Sequence, residues 1–224
     1  MYLSNNLTNT KMKKTTLLLT FLMITLYSTS QGLYPKGCYM SFEEVKSKSP
    51  SENYQLTIEK RTKSEIKMNG GNDYQLVSTD KSVKRKVLKK EIFAYSDGDT
   101  LYINCLKYLL QSWYSQVISD GRYLVFIAGI PMLKDMQSKA LQQDVQMSVM
   151  FGAVGGAFAG AELAMRRYLY IVDKELNVVK LVNQEVVKEV LKDSPHLLEQ
   201  YNLESKPNET DIQVKYLKLV NSSL

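Results

Sequence analysis

One histidine, His196, and two cysteines, Cys38 and Cys105, are all that this 224-residue chain offers for nucleophilic and zinc chemistry. A serine or cysteine nucleophile needs a base oriented by a third group, and a zinc site needs about four ligands. His196 follows Ser194-Pro195 at the start of a helical pattern. That is the place of a surface residue, so a Ser-His-Asp site and a zinc-histidine site are set aside. The cysteines form no C-x-x-C pair. In an exported chain they could join as a Cys38–Cys105 disulfide, or each could serve as a small apolar residue; the sequence leaves both open.

Carboxylates are the remaining reactive groups. Asp97 and Asp99 flank Gly98, but a calcium loop of the EF-hand type needs further oxygen ligands and a glutamate at its twelfth position, which this stretch lacks. A hairpin turn is the simpler reading. Glycoside hydrolysis asks only that two carboxyl groups lie close in space, and Glu43, Glu44 and Glu91 are candidates that no spacing singles out. An envelope hydrolase is therefore a minor alternative, and no cofactor signature is present.

Two stretches could act by contact. KSVKRKVLKK, residues 81–90, holds six basic residues in ten. On an extended strand they would occupy both faces, as on an edge strand protected from aggregation, with contact to an anionic envelope surface as the second reading. The fifteen tyrosines suit half-buried strands, and a glycan-binding face is the less economical account. In MFGAVGGAFAGAELAMRR, Gly152, Gly156 and Gly160 recur every fourth residue. On a helix they form one smooth stripe, the arrangement by which helices approach closely. The uncharged run from Val145 to Ala161 has seventeen residues and ends on Glu162, Arg166 and Arg167, at the bottom of the range that spans a bilayer. Three uses follow: a helix pressed on a neighbour within the fold, a helix 145–165 inserted in the outer membrane, or an oligomer contact.

The elements that carry these residues are mostly strands. YQLTIEKRT, SEIKM, YQLVS after a GGND turn, and KVLKKEIFAY read as strands, and Ser96 to Asp99 reads as a hairpin turn with Gly98 at positive φ. WYSQVIS and RYLVFIAGI are joined by Asp120-Gly121, a hairpin signal that places Gly121 at positive φ as well. A third hairpin, YLYIVDKELNVVKLV, turns near Asp173 to Asn177. Between the second and third hairpins lies a helical insert, residues 132–166. Helices follow at Asn183 to Leu191, from Pro195 through Tyr201, and from Glu209 to Val220. The fold class is α+β: a meandering antiparallel sheet or partial barrel, a glycine-rich helical insert and a helical C-terminus.

The first thirty residues stand apart. Lys11, Lys13 and Lys14 lead into an apolar run from Leu17 to Tyr27 that ends on Ser28-Thr29-Ser30, the pattern of an export signal, with Met12 as the expected start. Three of the 29 basic residues and none of the 23 acids lie there, so the formal charge of +6 falls to +3 on removal, too little for general nucleic-acid binding. Residues 31–224 are then a single domain.

FAYSDGDTLYINC, ending at Cys105, and GRYLVFIAGIP, Gly121 to Pro131, resemble a family of exported proteins of unknown function from Bacteroides-type Gram-negative bacteria; GCYMSFEEVKSKSP and GGNDYQL are similar to it as well. The resemblance implies export to the envelope and carries no activity or site residues with it. The sequence thus points to a non-enzymatic binding or structural module of the periplasm or outer membrane, whose partner would be an envelope protein, a glycan or a membrane surface. Mass spectrometry of the protein recovered from cells should find its N-terminus at or near Gln31, and a chain still beginning at Met1 or Met12 would remove the export assignment.

Overall fold

The computed structural model describes residues 34–137, 141–143, 145–146 and 152–223. The export segment and the middle of the insert lie outside them. Nine strands among the described residues form one antiparallel sheet. Six run as a meander: β4 (Ala94–Ser96), β5 (Leu101–Asn104), β6 (Tyr114–Ser119), β7 (Tyr123–Ala128), β8 (Tyr168–Asp173) and β9 (Val178–Leu181). The short β1 (Gly37–Tyr39) pairs with β4, and a hairpin of β2 (Leu56–Lys60) and β3 (Tyr74–Ser78) branches off through a Tyr74–Tyr114 pairing with β6. The sheet stays open, so of the two sheet forms expected it is the meander that is found.

Both faces of the meander are covered. Along β7, Leu124 and Phe126 point into a cluster with Phe42, Phe93, Ile103 and Tyr170, while Tyr123 and Val125 point into a second cluster with Leu191, Tyr201, Tyr216 and Leu217. Alternate side chains of a strand face opposite ways, so a strand buried on both sides reads as the continuous apolar run YLVFIA. The second cluster is roofed by α4 (Gln184–Val190), α5 (Pro195–Asn202) and α6 (Thr210–Ser223). A third cluster, with Cys38, Leu76, Leu88, Tyr95, Trp113 and Tyr114, fills the space under the β2–β3 hairpin.

Two expected strands are helical. SEIKM belongs to α2 (Lys63–Asn69), which Thr62 starts: Thr62 Oγ1 accepts from the Glu65 amide and the Glu65 carboxylate accepts from the Thr62 amide at 2.7 Å. This is a reciprocal capping box, and it satisfies two donors that a helix start leaves open. At the shorter α1 (Phe42–Ser47), Ser41 Oγ accepts from the Glu44 amide at 3.3 Å, while the Glu44 carboxylate accepts from the Met40 amide at 2.8 Å, one residue before the cap. KVLKKE is a single π-helical turn, Val87–Glu91, closed by the Ile92 amide on the Val87 carbonyl at 3.2 Å. Two further carbonyls are captured from outside: Tyr114 Oη donates to Leu88 O at 2.7 Å, and Asn104 Nδ2 donates to Lys89 O at 3.1 Å. Those partners come from β5 and β6, so the turn is fixed by tertiary contact.

A polar clasp joins these parts at the Gly70–Asp73 turn. Asn72 is fully buried; its Nδ2 donates to the carbonyls of Gln111 and Ser112, and its Oδ1 accepts from the Gly129 amide at 2.6 Å. Arg61, 6% exposed, donates to the carbonyls of Gly70 at 2.9 Å and Asn72 at 2.8 Å. Arg167 closes the other side on Asp73 Oδ1 at 2.7 Å. Gly71 sits among them at φ +93°, where a Cβ would stand 2.9 Å from Arg61, Ser112 and Trp113. Only glycine fits there.

Asp120-Gly121 does join β6 to β7, with a register shift between Val117 and Ser119, but Gly121 is not at positive φ. It is required for space: a Cβ would lie 2.6 Å from Asn221 of α6. Asn221 clasps the turn through Tyr123 N at 3.0 Å, Tyr123 O at 2.8 Å and Ser119 Oγ at 2.9 Å. Gly121→Val should therefore cost about 1–3 kcal/mol by forcing helix and hairpin apart. Thermal unfolding would show it, and a parental melting temperature would mean that α6 yields without loss.

Candidate functional site

The basic run 81–90 leaves β3 through a tight turn. Asp80 Oδ1 accepts from Ser78 Oγ at 2.9 Å, Ser82 Oγ at 2.7 Å and the Ser82 amide at 3.0 Å, and these bonds hold its carboxyl down at about 2. The chain then enters the π turn, so the six basic residues do not alternate along an edge strand as expected. Instead part of the run gathers around Trp113, the only tryptophan of the chain. The guanidinium of Arg85 lies 5.7 Å from the indole centroid, the Lys89 ammonium 5.4 Å and Arg61 5.8 Å.

Trp113 is positioned by backbone strain and burial. It is 5% exposed and sits at φ +79°, a left-handed conformation that is rare for a bulky residue, and its carbonyl accepts from the Cys105 amide at 3.0 Å. Three cations on one π system gain from its quadrupole but repel one another. Burial, and next the charges of Arg85, Lys90 and Arg61, push the Lys89 ammonium below its ordinary pKa. Among the described residues the ion pair made by this segment is Lys86–Glu91 at 3.5 Å, between two exposed side chains. A cavity of about 380 Å³ opens beside it, lined by Leu76, Ser78, Lys84, Arg85 and Trp113 among others. An anion placed there would relieve the repulsion that the fold leaves in place.

The other candidate residues are structural. Cys38 and Cys105 are separate free thiols in different clusters, so the disulfide left open by the sequence is not formed. Burial pushes their thiols up to about 11 and about 12, and Cys105 Sγ lies 3.1 Å from Ser115 Oγ; neither is a thiolate near neutral pH. Burial raises the Glu44 carboxyl, but hydrogen bonds from Met40, Ser51 and Ser41 outweigh it and hold the group below its ordinary value. Glu43 and Glu91 are exposed. Asp97 Oδ1 accepts from the amides of Asp99 and Thr100 at 3.0 and 2.8 Å, as in a hairpin turn, and Gly98 has φ +108°. Asp99 and Asp120 line one small cavity, yet Asp120 is neutralised by Lys174 at 2.6 Å. His196 is an exposed residue in the first turn of α5.

Gly152, Gly156 and Gly160 all lie on α3 (Gly152–Met165), whose side-chain surroundings are described from Ala159 onward. α3 packs on α2, with Leu163 and Ala164 buried. Gly160 makes no close contact: a Cβ there would meet nothing within 4 Å, and the residue borders an open cleft of about 600 Å³ shared with Met68 and Gln111. Among the described residues no helix is long and apolar enough to cross a membrane.

Fold and site together define an α+β protein whose distinguishing chemistry is a cluster of cations on one indole. A model for a family of unknown function, DUF6563, matches residues 37–224, and the chain belongs to that family. No curated protein and no solved structure matches it. The basic run is legible in the sequence, whereas Trp113 and Arg61 are not singled out by it; the T-x-x-E capping signal at Thr62 marks the helix that Arg61 precedes, and no local signal marks Trp113. Because Gly160 has open space, Gly160→Ala should be neutral or stabilise the protein by up to about 1 kcal/mol, through the higher helix propensity of alanine. Loss of stability on thermal unfolding would instead reveal a neighbour on that side of α3.

Proposed function

We propose that this protein is an exported, non-enzymatic binding module of the cell envelope that contacts anionic surface groups of a membrane through its basic segment. The observation that carries the reading is the grouping of Arg61, Arg85 and Lys89 around Trp113, with Lys89 held below its ordinary pKa by burial and by its cationic neighbours. Lys84 and Arg85 border the adjoining cavity, so exposed cations and a rigid aromatic platform face the same opening. The basic residues attract the anion over long range, and the desolvated cluster holds it at close range. Export rests on the lysine-led apolar run before Gln31.

The test is co-sedimentation of the mature chain with vesicles of phosphatidylglycerol or of phosphatidylcholine. Binding is expected to the anionic vesicles only, to fall on adding salt, and to fall as pH rises through the lowered pKa of Lys89, where the ammonium loses its charge. Replacing Arg85 and Lys89 together by glutamine should weaken it by about thirtyfold, from roughly 1 kcal/mol for each cation near an anionic surface. Equal binding to both lipids, or a folded double variant that binds like the parent, would overturn the reading.

A further inference from the structure

The cavity of about 380 Å³ beside the basic segment has an apolar part and a cationic part. Buried Leu76, Leu88 and Trp113 line it together with half-buried Val83, and all four pack in the apolar cluster under the β2–β3 hairpin. Its cations are Lys81, Lys84 and Arg85, all three exposed. Among the described residues the ion pair of this segment is made by Lys86, with Glu91, so the three cations of the cavity are not neutralised by it. Asp80, the carboxylate of the entering turn, is engaged by Ser78 and Ser82.

Arg85 ties the two parts together. Its guanidinium lies 5.7 Å from the Trp113 ring centroid, so an anion bound to it stands beside the indole, and whatever that anion is attached to begins at the apolar lining. A bare phosphate would meet the cations and leave the apolar lining in water. An uncharged alkyl chain would do the reverse. Only a ligand with both parts uses both, and each methylene it buries is worth roughly fourfold in affinity. The volume falls within the range of small-molecule sites, about 300–1,000 Å³, which gives room for a head group and part of one chain.

We infer that this cavity takes up one anionic amphiphile, a phosphate-headed molecule with a single alkyl chain, its phosphate on Lys84 and Arg85 and the first carbons of its chain against Leu76, Val83 and Trp113. The inference rests on the proposed contact with an anionic membrane, and it adds a saturable site of fixed size to adsorption by charge. Adsorption depends on the charge of the surface, whereas a cavity also responds to the length of the chain.

The test is calorimetric titration of the mature chain with n-butyl, n-hexyl and n-octyl phosphate, each below its micelle concentration, with the emission of Trp113, the only tryptophan, followed in parallel. Binding should saturate at one molecule per chain, shift the Trp113 emission, and tighten by roughly fourfold per added methylene until the cavity is full. Inorganic phosphate, which lacks the chain, and n-octyl glucoside, which lacks the charge, should each bind at least about tenfold more weakly than n-octyl phosphate. Val83→Phe, which fills the cavity, should weaken n-octyl phosphate to the level of inorganic phosphate; if that variant does not fold, Val77→Phe on the same cavity takes its place. Affinity that does not change with chain length, binding that leaves the Trp113 emission unmoved, or a folded filled variant that binds like the parent overturns the inference. Co-sedimentation of the same preparation separates the two readings: a chain that sediments with phosphatidylglycerol vesicles but takes up no alkyl phosphate overturns the cavity site alone, and one that does neither overturns both.

Discussion

The fully buried side chain of Asn72 is the interaction on which the layout depends. Its amide joins three segments distant in sequence: the Gly70–Asp73 turn, the loop at Gln111–Ser112 and the end of β7 at Gly129. A buried polar group left unmet costs about 1–3 kcal/mol, so the amide tolerates only an arrangement that satisfies both its donor and its acceptor ends. Arg61 and Arg167 secure the same turn from either side. Because Arg61 also faces Trp113, the clasp that fixes the β2–β3 hairpin fixes one wall of the cationic cluster as well. Fold and candidate site share one anchor.

From that anchor the sheet distributes burial three ways. β7 and β8 carry aromatic and branched side chains on both faces, one set packed under α1 and the loop after β5, the other under the C-terminal helices. The remaining apolar face of the meander is closed by the β2–β3 hairpin and the π turn. Tyrosine serves this arrangement because its ring packs while its hydroxyl reaches a backbone carbonyl: Tyr39 donates to Pro35, Tyr95 to Leu56, Tyr114 to Leu88 and Tyr170 to Gly129. These four tyrosines combine packing with a satisfied hydroxyl.

Charge is handled in two different ways. Arg122 stands against Asp173, Glu175 and Asp193, and Lys174 against Asp120, so each cation there faces carboxylates. Around Trp113 cations stand together, and like charges in a partly desolvated place raise the free energy of the unliganded state. Such a place gains more from an incoming anion than an ion-paired surface does.

Hairpins, meander and C-terminal helices were legible in the sequence because their signals are local. Apolar alternation, Gly98 in its turn, Asn177 after β8 and Pro195 at a helix start each act within a few residues. The charge pattern of 81–90 was legible too, but its shape was not: the π turn exists because Tyr114 and Asn104, distant in sequence, capture its carbonyls. SEIKM shows the same limit from the other side, since its helix had a local capping signal at Thr62 and Glu65 that strand-like surroundings concealed. Gly121 was marked as indispensable for a backbone angle, while its actual constraint is Asn221 arriving from the last helix. Which glycine is needed for φ and which for space, whether the two cysteines meet and which cations share an indole are decided by long-range approach. The sequence determined the local backbone preferences of this protein; the tertiary structure alone decided what each side chain faces, because those distances are set by the packing of the whole domain.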